Sequence, residues 1–255
     1  NELANVLNYL SVAENRKDYV DRALVEYAAA GFHFEQADHT RNQAAVENNL
    51  GYLFASLGKF DEAHSHLNRA RRLFVRLKDT VHTAQVDEKR ARAFSSEHRY
   101  ADAEKLARLA AAVLSKGGEH ALLSETLTTH GIALARLGRP GPARAAFARA
   151  EETAEVAGNL EGGGLALLAL IDELADELSF DEMVTTYRRA DELLSNSHDT
   201  DILTRLRGAA SKVLSVSNKR PSPPRSRQLK SEQVDNGWDN FSLKEEVRRL
   251  EERYI

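Results

Sequence analysis

The chain is 255 residues long, 42% hydrophobic, 29% charged and 7% aromatic, with a net charge of −4; that balance is ordinary for a globular chain and excludes a generic polyanion binder. It has no cysteine, which excludes disulfides and thiolate chemistry and argues against structural zinc. The longest apolar run, Leu165 to Ile171, is far too short to span a bilayer and no secretory signal is present, so a cytoplasmic protein with no membrane partner is expected.

Helical pairs are predicted, in chain order, near 2–14 with 17–37, 40–57 with 60–78, 80–97 with 100–116, 119–137 with 140–157, and 159–178 with 180–196, followed by a sixth first helix near 199–215. They come from a 40-residue register. One column reads Ala23, Ala63, Ala103, Ala143, Met183, and seven residues later another reads Ala30, Ala70, Ala110, Ala150, Ala190. Between them runs a bulkier column: Tyr27, Leu67, Ala107, Phe147, Tyr187. Spacings of three, four and seven put these residues on one helical face, where small residues let two backbones approach and a large one fills the groove. The column Val20, Phe60, Tyr100, Pro140, Phe180 precedes them, and Phe34, Phe74, Leu114, Ala154, Leu194 follows.

The turns obey one grammar. In Leu57-Gly58-Lys59-Phe60-Asp61, Gly58 suits a left-handed helix terminus and Asp61 favours the next helix dipole. Leu137-Gly138-Arg139-Pro140 repeats it, with Pro tolerated in a first turn. After the sixth first helix no partner helix follows. Pro221, Pro223 and Pro224 cannot continue one, and Lys219, Arg220, Arg225, Arg227 and Lys230 make a basic, polyproline-like linker over 218–239. Ser242 and Glu245 then form a capping box, and Leu243, Val247, Leu250 and Tyr254 make a two-helix seam on a terminal helix over 240–255, which predicts dimerisation.

Leu50-Gly51, Phe54, Gly58, Ala63, Leu67 and Ala70 resemble the tetratricopeptide signature, and Gly131, Leu134, Gly138, Ala143, Phe147 and Ala150 match it again. Ala91 and Ile171 replace the helix glycine in the third and fifth pairs. The resemblance is to the long-repeat arrays of bacterial signalling regulators. It implies an all-α fold over 1–217: a right-handed α-solenoid of about five helix-turn-helix hairpins plus a capping helix. The run Phe241 to Ile255 resembles the first helix of Fis-type domains, which pair with a second copy and carry a helix-turn-helix further on. The chain opens on Asn1 and stops at Ile255 without a helix terminus, so a longer parent is expected.

In tetratricopeptide arrays the first helices line the concave surface. The resemblance therefore implies a partner-binding face of Asn8, Tyr9, Asn48, Asn49, Tyr52, Gln85, Glu88, Lys89, Arg92, Thr128, Thr129 and Asp172. Asn side chains can bond an extended peptide backbone, and Lys89 with Arg92 can hold a carboxylate. His64 and His66 point to nearly opposite sides of a helix, and His130 replaces a Leu of other units, so neither a metal nor a catalytic histidine is expected. Gly162-Gly163-Gly164 lacks the Lys and Ser/Thr of a phosphate loop, and Asp172, Glu173 and Asp176 read as surface charge.

The expected function is a non-enzymatic, cofactor-free scaffold that binds a protein or peptide in its concave groove. Its setting is the sensory region of a bacterial transcription regulator, which contacts DNA only through a domain beyond Ile255. The alternative is an adaptor that assembles protein complexes with no DNA role.

Overall fold

The computed structural model describes residues 2–13 and 16–219. Eleven α-helices occupy these residues: α1 (Glu2–Ala13), α2 (Lys17–Gln36), α3 (Thr40–Ser56), α4 (Phe60–Arg76), α5 (Thr80–Ser96), α6 (Tyr100–Gly117), α7 (His120–Arg136), α8 (Pro140–Val156), α9 (Leu160–Leu174), α10 (Phe180–Leu194) and α11 (Thr200–Lys219). The seam residues Leu243, Val247, Leu250 and Tyr254, and the linker beyond residue 219, lie outside the described residues.

Successive helices pack as hairpins, α1 on α2 through α9 on α10, and each second helix also packs on the first helix of the next pair, with α11 closing the stack on α10. The fold is an all-α, solenoid-like array. First helices also touch their successors (α3 with α5, α5 with α7, α7 with α9, α9 with α11), whereas successive second helices meet weakly or not at all. A stack whose first helices lie closer together is bent toward them, so they line its inner side.

The small-residue columns are the reason for this packing. Ala23, Ala63, Ala103, Ala143 and Met183 are all fully buried, and so are Leu67, Ala107 and Phe147 of the bulky column. In the second and fourth hairpins a large residue faces a glycine. A Cβ on Gly51 would lie 2.5 Å from Leu67 Cγ, and one on Gly131 would lie 2.7 Å from the Phe147 ring. In the third pair, Ala91 and Ala107 hold the same two register positions, both fully buried. The fifth pair has no small partner: Ile171, Met183 and Tyr187 join a larger cluster with Ile202 and Leu206 of α11.

The connections have half the expected period. A left-handed residue recurs every twenty positions at Asp38, Gly58, Lys78, His98, Gly118, Gly138 and Gly158. At six of these seven it sits in the same pair of bonds: Gly58 N–H donates to Ala55 O and Lys59 N–H to Phe54 O, as do Lys78 to Val75 and Asp79 to Phe74. This is the Schellman closure, which satisfies the last carbonyls of a helix. Its usual apolar contact is a cation-on-ring contact at two of them, with the Lys59 ammonium 5.9 Å from the Phe54 ring and the Arg99 guanidinium 4.2 Å from Phe94. Lys78 holds φ of 56° without a glycine's freedom. Lys78→Gly is therefore expected to raise stability by about 0.5–1 kcal/mol, the left-handed strain relieved less glycine's entropy cost. Urea denaturation checks this; a lower midpoint would contradict it.

Two boundaries differ from the sequence expectation. The first helix of the fifth pair ends at Leu174 and tightens into a 3-10 turn over Ala175–Glu177, not running to 178. Leu178 is extended, because Ser179 and Glu182 form a capping box that fixes the start of α10. Hydrogen bonds from Ser179 and Arg144 hold the Glu182 carboxyl down at about 2. At the other end, α11 runs through Lys219, two residues into the predicted linker. Pro221 disfavours a helical conformation only for the residue just before it, which leaves Lys219 free to be helical.

Carboxylates strut neighbouring helices. Glu47 of α3 accepts from Arg69 and pairs with His66, both on α4, and Asp79 pairs with Arg41 and His82. Burial pushes the Glu47 carboxyl up, but hydrogen bonds from His66 and Arg69 outweigh it and hold it below its ordinary 4.5. Asp79 is likewise held low by the His82 side chain and amide and by Arg41, against its burial. Their depressed folded values mean that the stability they contribute is fully present above the unfolded carboxylate range and is lost as pH falls through the folded values. The urea midpoint is expected to drop as pH falls below about 5, where unfolded carboxylates begin to bind protons, and that of Glu47→Gln to drop less; equal slopes would exclude Glu47 as a source.

Candidate functional site

The groove follows from the register of the first helices. The column Asn5, Ala45, Gln85, Glu125, Leu165, Arg205 and the column Tyr52, Arg92, Ile132, Asp172, Lys212 repeat every 40 residues. Between them run Asn48, Glu88 and Thr128, with Asn49, Lys89 and Thr129 beside them.

At the α1–α3 end the amides bond to one another. Asn5 Oδ1 accepts from Tyr27 OH at 2.6 Å and from Asn49 Nδ2 at 2.9 Å, and Asn48 Nδ2 donates to Asn49 Oδ1 at 3.3 Å. Burial raises the Tyr27 hydroxyl to about 12, so it stays a neutral donor. Asn48 is buried, and its Oδ1 takes no hydrogen bond among the described residues. Asn8 and Tyr9 lie on α1, where their backbone alone is described.

The middle of the groove brings three helices together. Tyr52 of α3 lies under two cations of α5, with Lys89 Nζ 4.8 Å and Arg92 Cζ 5.5 Å from its ring centre. Glu88 is buried at 3% exposure, accepts from Thr129 Oγ1 of α7 at 2.8 Å, and lies 3.9 Å from Arg92 Nε. Desolvation and the neighbouring Glu88 charge push the Glu125 carboxyl up, against Lys89 and Arg92. Gln85 is half-buried on α5.

Beyond them opens a cavity of about 420 Å³. Arg92, Ser95 and Ser96 of α5, Glu125, Thr128, Thr129, Ile132 and Arg136 of α7, Leu165 and Ala169 of α9 and Arg205 of α11 line it. Its wall combines an apolar strip, Ile132, Leu165 and Ala169, with three guanidinium groups and a Ser95 hydroxyl that has no hydrogen-bond partner among the described residues. Such a mix of apolar wall and few fixed polar groups is the composition of a binding pocket. Arg92, Thr128 and Thr129 of the sequence-derived face reach this cavity; Asp172 does not line it.

Asp172 and Glu173 are more than loose surface charge. Asp172 accepts from Arg205 and Lys212 of α11, and Glu173 takes a two-pronged contact from Arg136, at 2.9 and 2.5 Å. The Glu173 hydrogen bond and charge raise Arg136 further above its ordinary value. The difference arises because Asp172 faces the following first helix, α11, and Glu173 the preceding one, α7, which the 40-residue repeat alone does not reveal.

His64 pairs with Glu97 and His66 with Glu47, on separate helix interfaces, and among the described residues no cluster of three metal-binding side chains occurs. His130 is partly buried, accepts or donates at 3.3 Å to Glu104, and is lowered chiefly by burial. The glycine run is structural: the Gly162 amide donates to the Asn159 side chain, and a Cβ at Gly164 would collide with Leu194. No helix among the described residues is long and apolar enough to cross a membrane.

Glu125, Arg136 and Arg205 were missed by the sequence reading. Glu125 and Arg205 stand in the column of Gln85, so following that column through every unit would have found them.

No family model and no curated protein matches this sequence. Among solved structures, BtubC (BKLC) from P. vanneervenii is similar to it, with a TM-score of 0.63 over 84% of this chain and 98% of BtubC, at 14% sequence identity. At that identity the likeness extends to the fold alone.

Proposed function

We propose that this chain is a tetratricopeptide-type binding scaffold that holds a segment of another protein in its first-helix groove, and that it is the regulatory region of a bacterial transcription regulator. The cavity walled by α5, α7, α9 and α11 carries the binding half of this reading. Its volume falls within the roughly 300–1,000 Å³ of ligand sites. The lining offers side-chain donors and acceptors beside an apolar strip, which suits an extended peptide with alternating polar and apolar contacts. The BtubC likeness supports the helical array as the framework.

The regulatory half rests on the Fis-like residues 241–255, which lie outside the described residues. On this reading those residues pair two copies, and DNA contact belongs to a domain past Ile255. A helix-turn-helix in the parent sequence favours the regulator, whereas an unrelated domain favours an adaptor. The binding half is tested by a photoreactive side chain at Thr128 in the groove or at Arg72 on the exposed face of α4. Capture from Thr128 but not Arg72, reduced at least tenfold by Lys89→Ala with Arg92→Ala, is expected; equal capture from both positions removes the groove.

A further inference from the structure

The cations of the groove are placed to meet an anion. Arg92, Arg136 and Arg205 line its cavity, and their side chains are 47%, 52% and 38% exposed. The carboxylates that hold them sit deeper, Glu88 at 4%, Glu173 at 11% and Asp172 at 31%. Asp172 is moreover shared between Arg205 and Lys212. One carboxylate does not exhaust the five N–H donors of a guanidinium. The wall therefore turns guanidinium edges outward over sunken negative charge. Glu125 is the sole acidic residue among those that line the cavity. Desolvation and the Glu88 charge push its carboxyl up, against Lys89 and Arg92, so it gives up its charge more readily than an ordinary Glu.

A segment of matching chemistry belongs to the same chain. Beyond the described residues the cations of the linker end at Lys230, and no other follows until Lys244. Between them Glu232, Val234, Asp235, Trp238 and Asp239 alternate carboxylate and apolar side chains. The stretch 219–230 carries cations alone, and 242–255 balances Lys244, Arg248, Arg249 and Arg253 against four glutamates. Only 231–240 therefore offers net negative charge after α11. It is also within reach. Arg205 lies roughly 20 Å back along α11 from Lys219, at a rise of about 1.5 Å per residue. Residues 220–231 can span up to about 40 Å when extended, enough to return along α11 to Arg205.

We infer that residues 231–240 occupy the first-helix groove of their own chain, with the carboxylates of Glu232, Asp235 and Asp239 against the guanidinium edges and Val234 and Trp238 against the strip of Ile132, Leu165 and Ala169. The inference rests on the reading of the groove as a peptide site and deepens it: the groove selects acidic segments with interleaved apolar residues, and its resident one is a tethered competitor. A short tether gives an effective concentration on the order of millimolar, so the contact needs only weak intrinsic affinity. A segment of another protein must displace it to enter. The basic stretch before it is repelled by the same wall and serves as the spacer.

Trp238 is the single tryptophan of the chain, so acrylamide quenching of its fluorescence reads the contact in the full chain directly. In the wild type Trp238 is expected to be blue-shifted and shielded relative to a synthetic peptide of residues 231–240, at every protein concentration. Arg92→Ala with Arg205→Ala should restore the quenching of the free peptide, with helical circular dichroism unchanged. Glu232→Lys with Asp235→Lys and Asp239→Lys should do the same, and these three lie outside the helical array, so its packing is left intact. A wild-type Trp238 as open as the peptide, or shielding that survives either set, overturns the contact. Shielding that grows with concentration, or is lost in Leu243→Glu with Val247→Glu, assigns it to pairing of terminal helices and also overturns it. An open Trp238 with capture of another protein from Thr128 intact removes this inference alone. An open Trp238 with equal capture from Thr128 and Arg72 removes the groove as well.

Discussion

Phe147→Ala is expected to destabilise the array by about 3–5 kcal/mol, the range for emptying a fully buried aromatic site. The Phe147 ring is completely buried and fills the space left by the missing side chain of Gly131. Filling that space from the other side is also unfavourable. Gly131→Ala would place its Cβ 2.7–2.9 Å from three ring atoms that have nowhere to move, at about 1–3 kcal/mol. Gly131→Ala combined with Phe147→Leu should recover part of the loss, because the two positions share one volume. Chemical denaturation of Gly131→Ala, Phe147→Leu and the double variant, alongside Phe147→Ala, checks these losses and the coupling, and strictly additive effects would show that the residues do not compete for the same space. The third pair makes the same point naturally, with Ala at both positions.

Asp87→Ala is expected to cost about 3 kcal/mol, toward the lower end for breaking a mostly buried ion pair. Asp87 accepts from Arg71 Nε of α4 and from Arg90 Nη1, both at 2.8 Å. The Arg71 side chain is 42% exposed and can turn to water, but Arg90 is 19% exposed, and its Nε already lacks a partner among the described residues. Removing Asp87 therefore strands the Arg90 charge between α5 and its neighbours. Replacing Asp87 and Arg90 together by Leu and Met should cost much less than the single change, since the only charge then left without its partner, Arg71, is half-exposed and can turn to water. Thermal unfolding of single and double variants decides between a stranded charge and simple loss of packing.

Much of the fold was readable because small residues are informative where they recur. Ala23, Ala63, Ala103 and Ala143 could be assigned to a helix interface before any coordinates, and all four are buried. The start column is clear in four of the five pairs, with Phe60, Tyr100, Pro140 and Phe180 each opening a second helix, whereas Val20 follows three residues after the start of α2 at Lys17. What stayed hidden was the twenty-residue beat of the connections. Glycine marks only some of the left-handed positions, and Asp38, Lys78 and His98 carry no such signal. The aromatic series Phe34, Phe54, Phe74, Phe94 has that beat, but a 40-residue ruler splits it between two columns.

The groove was less readable than the fold. Periodicity gives the direction in which a side chain points but not how deep it sits, and first helices are packed on both flanks. Hence Asn48, Glu88 and Thr129, assigned to an inner surface, are buried in contacts between helices, while Tyr52 and Arg92 remain accessible. Charges such as Arg136 and Arg205 were hard to find because their partners, Glu173 and Asp172, lie 33 or more residues away in sequence.

The recurring left-handed closure constrains how such a chain can lengthen or shorten. Since each helix from α3 to α10 occupies twenty residues with its turn, deleting one such module would swap inward and outward roles for everything downstream, setting Leu67-type faces where Arg92-type faces belong. Deleting two leaves every later side chain on its proper flank. Duplication and loss in units of forty are thus the length changes that the architecture tolerates, and a gain of twenty is a frameshift in three dimensions.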